Sequence, residues 1–315
     1  MKTSLSRREL LKRLGLGAAA VALPFPLSAG PAPGSVLDRL VSTLDDTDEQ
    51  RLAEWSSTVR DQARQLGTMT TGVRAVRIGE LAVGTPYEAF TLESYIREGG
   101  NPVQREPLAL MLTRFDCVTL VESCLAIARA SSASAQPSWQ QFGREVERMR
   151  YRGGRRRGYA SRLHYFSEWI SDGENRGLVR DLGEELGGIA DPRPLRFMTE
   201  HRQSYPALAS DSVFREIASM EQRLDKQVRF MIPSDRIPRM MDRIESGDIL
   251  AFATGIPGLD VSHAAFAYRD SSGTLRVLHA PLSGGSVEIT RATLPEYVSN
   301  IRRATGIMVA RPLRG

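Results

Sequence analysis

Apolar positions recur with a helical period immediately after Asp116. They fall at positions i, i+3, i+4, i+7, i+8 and i+11 of one run, which is the spacing of a buried helix face. These positions are Cys117, Leu120, Val121, Cys124, Leu125 and Ala128. Asp116 precedes the run, where its carboxylate can cap the first backbone N–H groups. The pattern therefore predicts a buried helix that begins at Cys117.

Three strand-like runs rich in β-branched, aromatic and small apolar residues follow in the last quarter of the chain. They span residues 247–253, 261–268 and 275–280. A surface helix is predicted earlier, at residues 211–229, and the polar stretch at 32–66 is compatible with a helix. The chain thus combines helices with a sheet built from neighbouring runs.

The turn between the second and third runs determines how His263 and His279 are related. A three-residue loop at 271–273, ending in a left-handed glycine, would pair Asp270 with Thr274. This register places the two histidines on the same face of the hairpin, as diagonal neighbours. A four-residue loop would instead send them to opposite faces.

Residues 1–29 have a basic start, an apolar middle and small residues at the end, which is the arrangement of a secretory signal peptide. Residues 6–12 resemble the twin-arginine export motif, and a general secretory leader is the alternative. The apolar run is short and contains two prolines, so we expect cleavage near Ala29 and no stable membrane span afterwards. The expected organisation is a leader at 1–29, an N-terminal helical segment at 30–75 and one domain at 76–315.

Removing the leader changes the charge balance. The chain has 42 Lys and Arg against 37 Asp and Glu, but five of these cations and one acid lie in residues 1–29. The remaining 37 and 36 nearly cancel, so we expect no nucleic-acid partner. One basic run, Arg148 to Arg157, is interpreted as a solvated loop or as a surface for anionic polymers or carboxylates.

The chain has two cysteines, and the predicted helix separates their roles. Seven helical residues place their Cα atoms about 10 Å apart, which is too far for a disulfide. Cys117 lies at the first helical position, where the backbone N–H groups and the helix dipole favour a thiolate. Cys124 lies on the buried stripe and is predicted to pack. Cys117 is therefore a candidate nucleophile, and a small apolar packing residue is the alternative.

A cysteine nucleophile requires a general base, which need not be near it in sequence. Of four histidines, the hairpin carries His263, a candidate base, and His279, a candidate orienting residue. Two alternatives remain open. The histidines are interior packing residues, or they bind zinc with Asp260 or Glu288 recruited by folding, although no zinc-binding motif accompanies them.

Several short motifs, in this order, resemble one known family. They are GTPY (84–87), FDCVTLVES (115–123), SRLHYFSEWI (161–170), GLDVSHAAF (258–266) and VLHAP (277–281). Together they look like the N-acetylmuramoyl-L-alanine amidase-like family, long described as a domain of unknown function. This family is similar to the NlpC-type cell-wall cysteine peptidases of the papain-like superfamily. The resemblance covers about residues 76–315.

The resemblance implies an α+β, papain-like fold, with a catalytic cysteine at a helix N-terminus packed on an antiparallel sheet that carries the histidine. It implies that Cys117 attacks an amide carbonyl of a peptidoglycan stem peptide, with His263 as the base and His279 as the orienting residue. No metal or other cofactor is implied. The expected location is the periplasm or cell envelope, and the expected partners are peptidoglycan or muropeptides. No oligomeric state is indicated.

The same resemblance implies contacts to substrate from Tyr87, Asp116 and Ser262. Tyr165, in the motif SRLHYFSEWI, is a further candidate residue for the wall of a substrate groove. The alternative is that this aromatic segment only covers the sheet. Val118 departs from many NlpC-type endopeptidases, in which a serine at this position contacts the free amine of the peptide. Specificity for a free N-terminal alanine is therefore not carried over.

Two bonds fit this chemistry: the muramoyl-to-L-alanine amide and the γ-D-glutamyl bond to diaminopimelate. Two other classes of function remain open. One is a non-catalytic cell-wall binding module of the same fold. The other is a cysteine amidase or acyltransferase that acts on other amides.

Overall fold

The structure, a computed structural model, describes residues 47–314 except 68, 135, 283 and 284. The predicted signal peptide at 1–29 and the beginning of the predicted helical segment lie outside the described residues. Within the described ranges, no helix is both long enough and apolar enough to cross a membrane.

Helices pack on both faces of the sheet. Their bounds are α1 Asp48–Leu66, α2 Thr71–Leu81, α3 Ser94–Arg97, α4 Cys117–Ala133, α5 Trp139–Arg150, α6 Phe166–Asn175, α7 Phe197–Glu200, α8 Asp211–Leu224, α9 Ile237–Met240 and α10 Leu294–Asn300. Helix α8 begins at the predicted residue and ends earlier than predicted.

The start of α4 confirms the prediction from the apolar stripe. The Asp116 carboxylate accepts the N–H groups of Val118 and Thr119 at 3.0 and 2.7 Å. The Thr119 hydroxyl in turn accepts the Asp116 N–H at 2.8 Å, which completes a capping box. This reciprocal cap makes Cys117 the first residue of the helix.

The strands form one sheet in which every paired neighbour is antiparallel. Their bounds are β1 Val179–Asp181, β2 Ile189–Ala190, β3 Phe230–Pro233, β4 Ile249–Thr254, β5 Val261–Arg269, β6 Leu275–His279, β7 Glu288–Ile289 and β8 Ala304–Pro312. The order is β2-β3-β8-β4-β5-β6-β7, and β1 also pairs with β8. The combination of helices and an antiparallel sheet confirms the α+β class.

The β5–β6 hairpin has the predicted register. Phe266 faces Leu278 and Arg269 faces Leu275, as expected for the three-residue loop. Gly273 closes that loop with a φ of +83°, a left-handed conformation that glycine adopts without steric cost. His263 and His279 therefore project from the same face.

Helix α4, which begins at the candidate nucleophile Cys117, and strand β5, which carries His263, share one hydrophobic core. Helix α4 packs against α1, α2, α5 and β5. Leu120, Val121 and Cys124 of α4 are buried in this core together with Ala264 and Phe266 of β5. The N-terminus of α4 is thereby held next to the strand that carries His263.

The N-terminal segment belongs to the same packed body. Trp55 of α1 and Ile78 of α2 are buried in the core that contains α4. The predicted boundary between residues 75 and 76 falls inside α2. Close backbone packing explains Gly72 of α2, because a Cβ there would lie 2.9 Å from the carbonyl oxygen of Gly247. Helix α2 thus packs against strands β6 and β8, and α1 packs against α2 and α4.

The basic run at 148–157 differs from the predicted solvated loop. It contains the end of α5 and the turn after it, and several of its arginines are paired with carboxylates. Arg150 Nε lies 2.7 Å from Glu122, Arg152 Nε lies 2.5 Å from Glu168, and Arg156 Nε lies 3.4 Å from Glu147. These pairs give the basic run a role in holding α5 and α6 in place.

Candidate active site

A cleft of about 160 Å³ opens where the N-terminus of α4 meets β5. Its lining residues are Tyr87, Ala89, Phe90, Leu92, Glu93, Asp116, Cys117, Val118, Arg162, Leu163, His164, Ser262, His263 and Leu282. Five of the residues predicted from the sequence lie in this lining: Tyr87, Asp116, Cys117, Ser262 and His263. The structure therefore brings together residues that are up to 176 positions apart in the sequence.

The two cysteines have the different environments that the helical reading predicts. Neither is in a disulfide bond. Cys117 is half-buried at the first position of α4, next to the cleft. Cys124 is fully buried, and desolvation raises the pKa of its thiol. Its packing role is confirmed.

His263 and His279 form a direct pair across the hairpin. His263 Nε2 lies 2.8 Å from His279 Nδ1, and the rings meet edge to face at 80°. Phe252 of β4 stacks on the His263 ring with centroids 5.6 Å apart. The predicted same-face arrangement is thus confirmed, with His263 at the cleft and His279 behind it at 1% exposure.

Two further side chains surround His279. The Tyr297 hydroxyl of α10 lies 3.2 Å from His279 Nδ1, and Glu288 Oε1 of β7 lies 3.4 Å from Nε2. Tyr297 is absent from the sequence prediction. The capping pattern Thr293-x-x-Glu296 does signal a helix there, but it does not show that the helix packs over β6. In the described part of the chain, no group of three or more His, Cys, Asp and Glu residues is placed to hold a metal ion.

Burial and neighbouring charges set the protonation states around the pair. Removal from water lowers the pKa of His263 well below its ordinary value of 6.5, and His279 lowers it further. Burial raises the pKa of Tyr297, with smaller contributions from Cys117 and Glu288. The His279 ring, 3.4 Å away, lowers the pKa of Glu288. At neutral pH these shifts favour a neutral His263, a protonated Tyr297 and an ionised Glu288.

A buried ion-pair network supports the part of the cleft lined by Leu92, Glu93 and Arg162. Arg162 is 5% exposed, and its guanidinium donates to Glu93 at 2.6 Å, Glu106 at 3.0 Å and the Leu92 carbonyl at 3.1 Å. The Tyr151 hydroxyl donates to Glu106 at 3.2 Å. This network was missed because its members lie far apart in sequence. Arg162 thereby connects the segment at residues 92–93 and Glu106 to the segment that leads into α6.

Three other residues of the cleft lining are held in place by contacts within the fold. The Ser262 hydroxyl donates to the Phe252 carbonyl at 3.4 Å, and the Tyr87 backbone forms a bridge with Phe115 directly before Asp116. His164 Nε2 lies 2.9 Å from the Tyr159 carbonyl oxygen. These contacts orient the lining of the cleft around Cys117.

The structure does not bring Tyr165 to the cleft. Tyr165 is 1% exposed and its hydroxyl donates to Glu221 at 2.6 Å, inside a second core with α8. The chain turns here to begin α6, so Arg162 and His164 face the cleft while Tyr165 faces away. Tyr165 therefore packs in a core beside α8 and does not line the cleft.

Comparisons with known proteins identify the family of the chain. Residues 77–307 match the AmiA-like family, described as N-acetylmuramoyl-L-alanine amidase-like. An N-acetylmuramoyl-L-alanine amidase from Bacteroides uniformis is similar in structure, with a TM-score of 0.69 and 29% identity over 77% of this chain and 98% of that chain. A putative xylanase from Bacteroides fragilis has a TM-score of 0.67 and 33% identity over 74% and 98% of the two chains.

A third solved structure, from Legionella pneumophila, is 19% identical with a TM-score of 0.57 over 82% of this chain and 94% of that chain, and it shows a shared fold alone. A search of curated proteins finds no match. Because the family model matches most of the chain, residues 77–307, the chain belongs to the N-acetylmuramoyl-L-alanine amidase-like family.

Proposed function

We propose that the protein is an exported cysteine amidase that hydrolyses the amide bond between N-acetylmuramic acid and L-alanine in peptidoglycan. The observation that supports this proposal is a single cleft lined by the Cys117 thiol, at a helix N-terminus, and by His263. The Nε2 atom of His263 is within hydrogen-bond distance of a second histidine, His279. The family supports the choice of substrate. The fold is proposed to be of the papain-like, NlpC type, because the nucleophile helix packs on the antiparallel histidine strand.

In this proposal, His263 is the general base for Cys117. His263 Nε2 is engaged with His279, so Nδ1 is the nitrogen that takes the thiol proton. The Cys117 sulfur then attacks the carbonyl carbon of the muramic lactyl group, and the negative charge moves to the carbonyl oxygen. The positive end of the α4 dipole and the N–H groups of its first turn stabilise this oxyanion.

The second half of the reaction returns the protein to its starting state. The His263 imidazolium gives its proton to the alanine nitrogen, the C–N bond breaks, and the stem peptide leaves with a free amine. The lactyl group remains on Cys117 as a thioester. A water molecule, deprotonated by His263, attacks this thioester and releases the muramic carboxylic acid and the thiol.

The name of the Bacteroides fragilis neighbour suggests a different reaction, the hydrolysis of a glycosidic bond. That reaction commonly uses two carboxyl groups, one on each side of the bond. The carboxylates in this cleft, Glu93 and Asp116, have structural roles: Glu93 pairs with Arg162 at 2.6 Å, and Asp116 caps α4. These contacts favour the thiol-based reaction on an amide.

The residue after the nucleophile bears on the choice between the two amide bonds. A side chain that binds the free amine of L-alanine would favour a substrate already separated from the glycan. Val118 lines the cleft, and its side chain has no hydrogen-bonding group. This observation favours the muramoyl amide over the γ-D-glutamyl bond to diaminopimelate.

Mass analysis of digests tests the function. Purified sacculi and defined muramoyl peptides are incubated with the wild-type protein, with Cys117→Ala and with Cys124→Ala. We expect the wild type and Cys124→Ala to release peptides that begin with L-alanine, because Cys124 only packs. Cys117→Ala is expected to release none.

Other products would contradict the proposal in distinct ways. Peptides cut after D-glutamate would show the wrong bond, and xylan or glycan fragments would indicate a glycosidase. Binding to sacculi without any cleavage would support the wall-binding alternative. Cleavage of other amides alone would support the broader amidase or acyltransferase alternative.

The lowered pKa of His263 gives a second prediction, for pH. We expect the acidic limb of kcat/KM to lie below pH 6.5, because the imidazole stays neutral at lower pH than in an ordinary histidine. The unfolded chain binds a proton at this site near pH 6.5, before the folded chain does. Folding stability is therefore lost as the pH falls from about 6.5 towards the folded pKa.

Urea unfolding of the wild type and His263→Gln at several pH values checks the stability part of this prediction. The difference between the two proteins should change only in the acidic range. A difference that is constant with pH, together with an acidic limb above pH 6.5, would contradict the neutral state of His263.

A further inference from the structure

We propose that Glu288 is a positioning residue that fixes the tautomers of both histidines and extends the site into a relay of Glu288, His279, His263 and Cys117. This inference rests on the proposed function above. It is carried by the contacts of Glu288 with His279 and of His279 with His263, and by the cleft that His263 shares with Cys117. Glu288 acts through His279, and it does not touch the reacting atoms.

The sheet itself sets the contact between Glu288 and His279. The two residues are directly opposite each other in the β6–β7 ladder. Residues opposite each other in an antiparallel pair have Cβ atoms about 5 Å apart, so their side chains can interact. In the structure Glu288 Oε1 lies 3.4 Å from His279 Nε2. The register that forms β7 therefore delivers the carboxylate to the ring.

The two nitrogens of the His279 ring have different neighbours. His279 Nδ1 lies 2.8 Å from His263 Nε2. His279 is 1% exposed, and its Nε2 is a buried atom without a hydrogen bond of good geometry in the described part of the chain. A buried imidazole N–H that has lost water needs a nearby acceptor. Glu288 is the anion placed to supply this interaction.

The chemistry of imidazole then links the protonation of both rings. A neutral histidine has one N–H donor and one acceptor nitrogen, whereas a carboxylate only accepts. Glu288 therefore favours the proton of His279 on Nε2. His279 Nδ1 must then accept a hydrogen bond from His263 Nε2–H. As a result, His263 Nδ1 carries a lone pair and can accept the thiol proton.

The opposite tautomer would disable the site. If His279 carried its proton on Nδ1, it would donate to His263 Nε2, and His263 would hold its own proton on Nδ1. That nitrogen could not act as a base. Tyr297 is compatible with the productive state, because its raised pKa keeps the hydroxyl protonated, and at 3.2 Å this hydroxyl can share the Nδ1 lone pair with the closer His263 Nε2–H.

Glu288 also favours the charged state that forms during the reaction. When His263 takes the thiol proton, the positive charge is shared through the histidine pair, and a nearby carboxylate stabilises it. The Glu288 side chain is 52% exposed, so solvent screens part of this interaction. We therefore expect a loss of about tenfold in kcat when the carboxylate is removed, equivalent to about 1.4 kcal/mol.

Glu288→Gln tests the relay, with Glu296→Gln as the matched control. Glutamine removes the charge and presents both donor and acceptor groups to His279. Glu296 belongs to the cap of α10, where glutamine is also accepted. Two measurements are made: the tautomers of the 15N-labelled imidazoles by NMR, and the pH profiles of kcat and KM on a muramoyl peptide.

We expect Glu288→Gln to give a mixture of His279 tautomers, a kcat lowered about tenfold with KM little changed, and an acidic limb moved to lower pH. Glu288→Asp should recover part of the kcat, and Glu296→Gln should match the wild type. Unchanged tautomers, or an unchanged kcat in an active enzyme, would overturn the inference. The NMR result needs no substrate, so a shifted tautomer in a protein without amidase activity would leave the link between Glu288 and His279 standing while the proposed function failed.

Discussion

His263→Gln is expected to lower kcat/KM on a muramoyl-L-alanine substrate by about 10²–10⁴-fold, with the folded structure retained. Glutamine keeps a polar side chain of similar length but has no basic nitrogen to accept the thiol proton. The loss should appear mainly in kcat, because the imidazole acts on the nucleophile. Steady-state kinetics at pH 7.5 measure the effect, and circular dichroism checks folding.

His201→Gln is the matched control for this variant. His201 is a half-buried histidine outside the cleft, and its Nδ1 lies 2.8 Å from the Phe197 carbonyl oxygen. The same chemical change there should leave kcat/KM within about twofold of the wild type, since an imidazole remote from the reacting atoms supplies no acid–base step. Similar losses in both variants would show that the effect comes from altered folding, and a nearly active His263→Gln would remove His263 from the mechanism.

Arg150→Met is expected to lower the free energy of unfolding by about 3–5 kcal/mol. Arg150 and Glu122 are 3% and 2% exposed, and Arg150 Nε lies 2.7 Å from the Glu122 carboxylate. The guanidinium also donates to the Ala109 carbonyl at 2.7 Å. Removing the arginine leaves a buried carboxylate of α4 without its counter-charge. Urea denaturation at neutral pH measures the change.

Two variants show whether the buried charge is the cause. The double variant Arg150→Met with Glu122→Leu should recover most of the lost stability, because it leaves no unpaired ion in the core. Arg77→Met breaks a partly exposed pair with Glu80 within α2 and should cost less than about 1 kcal/mol. A single Arg150 variant as stable as the Arg77 variant would contradict this account.

The parts of the site that could be predicted from the sequence depend on local signals. Asp116 marks the start of α4 because a capping carboxylate acts within three residues, and the loop that ends in Gly273 sets the hairpin register within a few more. These two signals place Cys117 at the beginning of a helix and both histidines on one face. They do not require knowledge of the rest of the chain.

The remaining parts depend on contacts that no local pattern specifies. Tyr297 reaches His279 only because α10 packs over β6, and Arg162 reaches Glu106 across 56 residues. Tyr165 shows the same limit in reverse, because it adjoins cleft residues in the sequence and yet faces a different core. Glu288 was visible as a candidate ligand, but its position opposite His279 depends on how β7 pairs.

The hairpin loop at 271–273 has a consequence for how this chain can vary. Its residues are exposed, and they lie in the turn at the opposite end of the hairpin from the histidine pair. Its composition is therefore open to substitution wherever the glycine conformation is kept. Its length is not, because one inserted residue taken up by the strand pairing would turn His279 to the other face of the sheet. Natural variants of this protein should tolerate substitutions in this loop far better than insertions or deletions.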